Sequence, residues 1–189
     1  AQLGELGVDR LTTDQPARVL IGGLGLGFTL KRVLESTGPN TIVDVVELIP
    51  DVISWNRTHL RELNGSLLED PRVIIHTGDA RAVICSAREA TYDGILLDVD
   101  NGPVAMVKRS NDSLYTHAGI RAVRSALKTD GRAVFWSASH DRIFADRLNK
   151  TDFSVQAIPS KAHENAKRAT YLIYVADRNS KRRGIDKKP

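Results

Sequence analysis

The chain has 189 residues, 41% of them hydrophobic and 26% charged, and its formal net charge is +4. This length suits a single domain with its own hydrophobic core. The lone Cys85 excludes an internal disulfide framework and a structural zinc site built from cysteines. No apolar run reaches the roughly 20 residues that span a membrane, and the N-terminus has no signal-peptide pattern. We therefore expect a cytoplasmic protein without a membrane partner.

The basic residues are concentrated at one end of the chain. Residues 1–160 carry 18 basic and 20 acidic residues, whereas residues 161–189 carry 9 and 3. The surplus belongs to a C-terminal segment whose last part, 179–189, is predicted to be a flexible basic tail. An acidic partner for this tail is an open alternative. The distribution argues against a basic groove for nucleic acid across the domain.

Short aliphatic runs alternate with segments of helical periodicity. The runs predict strands at 17–23, 41–48, 72–79, 92–100, 131–139, 153–160 and 169–177. Helices are predicted at 28–36, from Pro50 onward, and at 80–90, 114–127 and 141–150. Proline in the first turn of a helix costs no hydrogen bond. Along the helix that begins at Pro50, one side is expected to carry Val52, Ile53, Leu60 and Leu63.

This alternation predicts parallel strands joined by right-handed crossovers, in a doubly wound α/β sheet. The continuous apolar strand centres predict helices on both faces of the sheet. No helix separates the last two strands, which indicates an antiparallel hairpin at the C-terminal edge. We divide the chain into a lead-in (1–16), one nucleotide-binding domain (17–178) and the tail (179–189).

Ligands of doubly wound sheets bind at the carboxyl ends of the strands. The first predicted strand ends in a glycine-rich loop that contains Gly22, Gly23 and Gly25. Glycines let the backbone turn sharply and approach a ligand at a helix N-terminus. The spacing is GxGxG rather than the GxGxxG of dinucleotide sites, so a tight turn without a ligand is the alternative.

Acidic residues follow the next two predicted strands. Glu47 ends the second strand, where a carboxylate can accept both hydroxyls of a ribose; a surface glutamate without a ligand is the alternative. Asp79 and Ala80 follow the third strand. Asp79 is predicted to cap the next helix, to accept a hydrogen bond from the exocyclic amine of adenine, or to do both.

The fourth predicted strand ends in Asp98, Asp100 and Asn101. Alternate residues of a strand share a face, so the two carboxylates are expected to point the same way. Two like charges held close together raise one pKa, which suits proton abstraction from an amine or a hydroxyl. The alternative is that one aspartate caps the following loop while the other is solvated.

At these positions the chain resembles a known family. The motifs RVLIGGLGLG, VDVVELIPDVI, GDA and YDGILLDVDNGP resemble class I S-adenosylmethionine-dependent transferases, and most of all the spermidine synthases, which are polyamine aminopropyltransferases. The resemblance implies a seven-stranded Rossmann-like sheet of the methyltransferase type and an adenosyl ligand. By position it implies that Gly22, Gly23 and Gly25 lie near the ligand. It also implies that Glu47 holds the ribose, that Asp79 and Ala80 meet adenine, and that Asp98 is the general base.

The chain departs from the family pattern at three acidic positions. Gly25, Ile49 and Asn101 stand where the family has aspartates. Two of these acids, at the positions of Gly25 and Asn101, help to hold cationic amines in the family, and a neutral residue loses the charge-assisted part of that recognition. About 16 residues precede the first strand, where the family has a small β-domain. Cofactor binding is therefore better supported than polyamine synthesis.

Other residues give weaker signals. Trp136 and Tyr115 are candidates for a substrate pocket, with core or rim packing as the alternative. Cys85 is expected to be a small buried apolar residue. The five histidines lack ligand spacing and SASHDR (137–142) lacks the Asp-Asn pair of metal-dependent O-methyltransferases, so no metal is expected.

Three functions remain open from the sequence. The first is a spermidine synthase-like transferase that binds S-adenosylmethionine or its decarboxylated form and alkylates a small acceptor, with amines among the candidates. The second is methyl transfer from S-adenosylmethionine to a small molecule, and the third is a non-catalytic adenosyl-binding module. A homodimer is left open.

Overall fold

The computed structural model describes residues 2–98, 113–161 and 169–178. In this part of the chain the strands are β1 (Ala17–Gly22), β2 (Thr41–Glu47), β3 (Val73–Thr77), β4 (Tyr92–Leu97), β5 (Leu127–Ser137), β6 (Phe153–Ser160) and β7 (Tyr171–Arg178). The helices are α1 (Gln2–Val8), α2 (Phe28–Ser36), α3 (Pro50–Arg57), α4 (Arg61–Asn64), α5 (Ala80–Ser86), α6 (His117–Ala126) and α7 (Arg142–Asn149).

The described strands form one sheet in the order β3-β2-β1-β4-β5-β7-β6. β1 to β5 pair in parallel, whereas β7 is antiparallel to both β5 and β6. The connection through α7 places β6 at the edge, and β7 returns along the space between β5 and β6. The predicted fold class is confirmed, including the antiparallel hairpin at the C-terminal edge.

Two apolar clusters cover opposite faces of the sheet. Side chains alternate between the faces along a strand: Leu20 belongs to the cluster with residues of α5, α6 and α7, and Val19 and Ile21 belong to the cluster with residues of α1, α2 and α3. All three side chains are fully buried. This two-sided burial explains the continuous aliphatic runs that the sequence shows.

The lead-in forms a helix that packs on the sheet. In α1, Leu3 and Val8 are buried. A Cβ atom on Gly7 would lie 2.6 Å from Cγ of Leu96 on β4, so this position has no room for a side chain. The buried Arg132 of β5 donates one hydrogen bond to the Leu6 carbonyl of α1. Residues 2–8 are therefore part of the folded core.

Several predicted boundaries are wrong. α3 ends at Arg57, and Leu63 lies exposed on the separate helix α4, because the backbone leaves the helical conformation at Thr58. α5 ends at Ser86 rather than at residue 90. α6 begins three residues later than predicted, after Thr116, whose hydroxyl accepts a hydrogen bond from the Gly119 amide.

Cys85 is exposed rather than buried as predicted. The short helix α5 turns Ala80 and Ile84 toward the sheet, and the neighbouring position then faces outward. Among the described residues, none of the helices is long and apolar enough to cross a membrane.

Candidate active site

Two adjoining pockets lie at the carboxyl ends of the parallel strands. The smaller has a volume of about 160 Å³ and is lined by the ends of β2 and β3 and by the loop after β1. The larger has a volume of about 780 Å³ and lies beside α1, α2 and the ends of β5, β6 and β7. Gly25 and Asp98 line both pockets, so the two compartments meet there. The location is the one predicted for a doubly wound sheet.

The glycine-rich loop makes a tight turn into α2. Gly23, Gly25 and Gly27 have φ values of 92°, 51° and 81°, which side chains disfavour. The Gly27 amide donates a 2.9 Å hydrogen bond to the Leu24 carbonyl and closes the turn. Gly23 and Gly25 line the smaller pocket, whereas Gly22 is the last residue of β1 and is hydrogen-bonded within the sheet.

Two asparagines that the sequence analysis missed hold this loop from behind. The Asn56 side-chain amide donates a 2.8 Å hydrogen bond to the Gly25 carbonyl, and the Asn64 amide donates one to the Leu26 carbonyl. Both asparagines are buried. A Cβ atom on Gly27 would lie 2.9 Å from the Asn56 side-chain oxygen. In the sequence, Asn56 could be recognised only as a polar residue on the side of α3 that is expected to be buried. That position does not show that its side chain contacts a loop residue 31 positions earlier in the chain.

Glu47 joins the loop to the end of β2. One carboxylate oxygen accepts a hydrogen bond from the Leu24 amide and the other accepts one from the Ile49 amide, each at 2.9 Å. The residue is only 8% exposed and lines the smaller pocket, so it is not a freely solvated surface glutamate. A carboxylate has about four acceptor directions. The two backbone amides occupy two of them, which leaves acceptor capacity for a ligand.

Asp79 and Ala80 lie where the sequence places them. Asp79 is the N-cap of α5, and its Oδ1 atom accepts a 2.8 Å hydrogen bond from the Arg81 amide. The capping role that was predicted is therefore present. Asp79 and the buried Ala80 also line the smaller pocket beside Glu47.

Asp98 stands at the junction of the two pockets, directly after β4. Its backbone amide donates a 2.8 Å hydrogen bond to the Gly22 carbonyl, which continues the β1–β4 ladder by one residue. Its Oδ2 atom accepts a 2.9 Å hydrogen bond from the hydroxyl of Thr29, a residue of α2 that is 4% exposed. The sequence analysis missed Thr29. Asp100 and Asn101, the other candidates from this strand end, lie outside the described residues.

The two aromatic candidates have different positions. Trp136, at the end of β5, is partly buried and lines the larger pocket, where its ring centroid lies 4.9 Å from that of Tyr171. Tyr115 is 1% exposed and packs against Phe144 in the core, with 5.2 Å between the ring centroids. The structure therefore brings Trp136 to the site but not Tyr115, whose position matches the core-packing alternative.

The residues of the smaller pocket fit an adenosine nucleoside. A Cβ atom added to Gly25 would have no other atom within 4 Å, so the glycine loop leaves room for a ligand beside its backbone. A buried carboxylate with spare acceptor capacity suits vicinal hydroxyls, and a second carboxylate at Asp79 suits an amine donor. Within the described parts of the chain, no three His, Cys, Asp or Glu residues group together as metal ligands.

The amino-acid sequence also matches a known protein family. The spermine/spermidine synthase domain matches residues 6–173 of the chain. The chain belongs to this family. The resemblance that the strand-end motifs indicated is therefore confirmed.

Curated relatives of this family member include enzymes of two kinds. It is 35% identical over 124 residues to the polyamine aminopropyltransferase of Korarchaeum cryptofilum, covering 66% of this chain and 36% of the relative. It is 30% identical over 164 residues to polyamine aminopropyltransferase 1 of Hyperthermus butylicus, covering 85% and 54%. It is 33% identical over 116 residues to putrescine N-methyltransferase 1 of Nicotiana tabacum, covering 61% and 29%. The chain thus spans about a third to a half of the length of these relatives.

Solved structures share the fold of this family member. A spermidine synthase in complex with the transition-state analogue AdoDATO has a TM-score of 0.67 at 20% identity, over 94% of this chain and 58% of that one. Human methyltransferase-like protein 13 in complex with SAH has a TM-score of 0.71 at 19% identity, over 98% and 83%. These similarities establish the class I methyltransferase type of sheet.

Proposed function

We propose that this protein is a transferase that binds S-adenosylmethionine or its decarboxylated form and transfers an aminopropyl or other alkyl group to a small nucleophile. The observation that carries the proposal is the junction at Asp98. A carboxylate stands there between a compartment whose lining residues suit the groups of a nucleoside and a larger one with room for an acceptor. Membership of a family with aminopropyltransferases and N-methyltransferases among its relatives supports the same reaction class.

The smaller pocket is proposed to hold the adenosine part of the nucleotide. Glu47 would accept hydrogen bonds from the two ribose hydroxyls, in addition to those from the Leu24 and Ile49 amides. Asp79 would accept one from the exocyclic amine of adenine with the oxygen that does not cap α5. Gly23 and Gly25 would let the nucleotide approach the backbone closely.

At the pocket junction, Asp98 would act as the general base. When bound, the nucleotide supplies an electrophilic carbon attached to a positively charged sulfur. The lone pair of the acceptor nitrogen or oxygen would form the new bond to that carbon while the carbon–sulfur bond breaks, so that the bond pair goes to sulfur and a neutral thioether leaves. Asp98 would accept the proton that the acceptor loses. Thr29 holds one carboxylate oxygen, which fixes the orientation of the group. The protein contributes by positioning the two reactants and removing a proton.

Methyl transfer from S-adenosylmethionine is the second candidate, and one observation favours it. Gly25 lies on the wall between the pockets, where the space for a side chain is open and the residue itself supplies no carboxylate beside that of Asp98. An acid at this position would strengthen the binding of a cationic amine through a charge-assisted hydrogen bond. The glycine at this position lacks the acid that helps to hold a cationic amine in the family. It therefore favours a polyamine acceptor less than it favours nucleotide binding.

Nucleotide binding is tested first, by thermal-shift and calorimetric titration with S-adenosylmethionine, its decarboxylated form and S-adenosylhomocysteine. A ligand at 100 times its Kd stabilises a protein by about 2.7 kcal/mol. Preference for the decarboxylated compound supports aminopropyl transfer, and preference for the carboxylated one supports methyl transfer. If no adenosyl compound binds, both candidates are wrong.

The ribose assignment is tested with Glu47→Ala. We expect at least about ten-fold weaker nucleotide binding, equivalent to about 1.4 kcal/mol. Glu89→Ala is the matched control, because Glu89 is an exposed carboxylate that precedes β4 at the opposite end of the sheet. Glu47→Gln keeps the shape and one acceptor, and replaces the alanine variant if that one does not fold. Unchanged affinity in a folded variant would contradict the assignment.

The general-base assignment is tested with Asp98→Asn. The amide keeps the size of the carboxylate and can still accept from Thr29, but it cannot take up the proton. We expect nucleotide affinity within about three-fold of the wild type, or about 0.7 kcal/mol, and loss of turnover. Turnover close to that of the wild type would show that another group removes the proton.

A further inference from the structure

We infer that the acceptor bound in the larger pocket is an arylalkylamine, a flat aromatic ring that carries a single amine on a short alkyl chain, rather than a linear polyamine. This inference rests on the proposed function, because it names the acceptor class of the same site. Three features of the described lining residues carry it: an aromatic wall, an exposed apolar loop and a balanced set of charges.

The aromatic wall is formed at the sheet edge of the pocket. Trp136 at the end of β5 and Tyr171 at the start of β7 lie with their ring centroids 4.9 Å apart and their planes at 42°. Both residues are only partly buried and both line the pocket, so their rings present surface to a ligand. Pairs of aromatic rings prefer offset or tilted arrangements at such distances. A third ring, supplied by the ligand, can extend this pair.

The loop side of the pocket is also apolar. Leu26 is 53% exposed and Phe28 is 44% exposed, although large hydrophobic side chains such as these are usually buried in the core. Both line the larger pocket, next to the buried Leu24. Exposed apolar residues gathered in a pocket with a few polar groups are typical of a ligand site. A flat ring would cover this surface, whereas an extended polyamine would place charged ammonium groups against it.

The charges of the pocket match one ammonium group better than several. Among the described lining residues, Asp98 and Glu5 are acidic, and Arg32 and Lys161 are basic. An amine that enters near Asp98 is attracted to that carboxylate. A second ammonium farther along a linear polyamine would meet the other described charges of the lining, those of Glu5, Arg32 and Lys161, which sum to +1. Because a second positive charge gains no net Coulomb attraction from a positive surrounding, the described lining favours a monoamine.

The volume agrees with this occupant. The larger pocket has about 780 Å³, within the range of about 300–1,000 Å³ of sites that enclose small organic ligands. Asp98 lies at the boundary with the nucleoside compartment. An amine held there would point at the proposed electrophilic carbon, with its ring toward Trp136 and Tyr171.

Intrinsic fluorescence gives a direct test that needs no turnover. The chain has two tryptophans, and Trp55 lies half-exposed on α3, outside the lining of the pocket. In a Trp55→Phe background, Trp136 becomes the sole tryptophan reporter. Phenethylamine, butylamine and putrescine are titrated with and without S-adenosylhomocysteine. We expect phenethylamine to cause a saturable change in the Trp136 fluorescence. Its affinity should be about ten-fold higher than that of butylamine or putrescine, because one stacked aromatic ring contributes a free energy of about this size.

Substitutions at the aromatic wall separate stacking from general packing. Trp136→Leu should weaken phenethylamine binding about ten-fold in calorimetry, and Trp136→Phe, which keeps a ring, should weaken it less than about three-fold. Lys161→Glu should strengthen putrescine binding, because it makes the described lining net acidic. S-Adenosylhomocysteine affinity serves as the folding control for all three variants.

Putrescine affinity equal to or higher than that of phenethylamine would overturn the inference, as would equal effects of Trp136→Leu and Trp136→Phe. Its failure is distinguishable from failure of the proposed function. If adenosyl compounds bind but phenethylamine does not, only the acceptor class is wrong. If phenethylamine binds as expected but no adenosyl compound does, the pocket assignment holds and the transferase proposal is wrong.

Discussion

Thr29 shows how a residue without a motif can contribute to the proposed catalytic arrangement. Its hydroxyl donates to Oδ2 of Asp98, and its side chain is buried in the first turn of α2. The glycine loop contributes to this contact, because the turn at Gly27 ends the loop and starts α2 two residues before Thr29. Under the proposed function, Thr29 is therefore a positioning residue for Asp98, and it lines the larger pocket rather than the smaller one.

We predict that Thr29→Val lowers kcat by about ten-fold, or about 1.4 kcal/mol in the barrier, while nucleotide Kd and acceptor KM change by less than about two-fold. Valine keeps the volume of threonine but cannot donate a hydrogen bond, so the Asp98 carboxylate loses its fixed orientation. Steady-state kinetics with the best acceptor measure the effect. Thr29→Ser, which keeps the hydroxyl, should restore most of kcat. A loss of the same size in the serine variant would indicate a packing role only.

A buried guanidinium adds to the apolar packing that holds the helix α1 on the domain. Arg132 donates to Asp177 of β7 at 2.7 Å, to Asp9 at 2.6 Å and to the Leu6 carbonyl. Burial lowers the pKa of Arg132, but its hydrogen bonds and attraction to Asp177 and Asp9 outweigh this, so the pKa is raised overall. Because α1 contributes to the larger pocket, this network connects the stability of the domain to the shape of the site.

We predict that Arg132→Met lowers the free energy of unfolding by about 3–5 kcal/mol, because it leaves the buried Asp177 carboxylate with only part of its partners. Arg10→Met is the matched control: Arg10 bonds the same carboxylate at 2.7 Å, but half of its side chain is exposed. An exposed pair contributes about 0–1 kcal/mol. Urea unfolding followed by circular dichroism measures both variants. Equal losses would contradict the difference assigned to burial.

At the scale of the whole molecule, we expect two buried tyrosines to make the free energy of unfolding depend on pH in the alkaline range. Burial, and secondarily the nearby Asp44 carboxylate, raise the pKa of Tyr92, which the Arg18 guanidinium opposes in part. Burial also raises the pKa of Tyr174. Unfolded tyrosines release their protons near pH 10. Above that pH the unfolded state binds fewer protons than the folded state, so the free energy of unfolding falls as pH rises.

We predict that Tyr92→Phe makes this alkaline decline shallower, by up to about 1.4 kcal/mol per pH unit above pH 10. Below about pH 9 the stability should change little, since the ring and its packing are kept. Urea unfolding at a series of pH values from neutral to alkaline measures the slope. Tyr171→Phe, at a partly exposed position, is the control. An unchanged slope in Tyr92→Phe would show that other groups cause the decline.

The sequence by itself determined the sheet and the strand-end residues of the site. Aliphatic runs and helical periods give the βα alternation, and parallel strands direct their carboxyl ends to the same edge. Gly23, Glu47, Asp79 and Asp98 therefore meet there although no two of them are neighbours in the chain. The helix ends were less predictable, because fraying and capping depend on one or two residues.

The tertiary structure alone decided which other residues reach the site. Asn56 and Thr29 lie on helices whose side chains meet the loop and Asp98 only after packing. Trp136 and Tyr115 are equal candidates in the sequence, but one faces the pocket and the other the core. Contacts between residues far apart in the chain leave no periodic signal, because helix and strand patterns record only which side of an element is buried and not what lies against it.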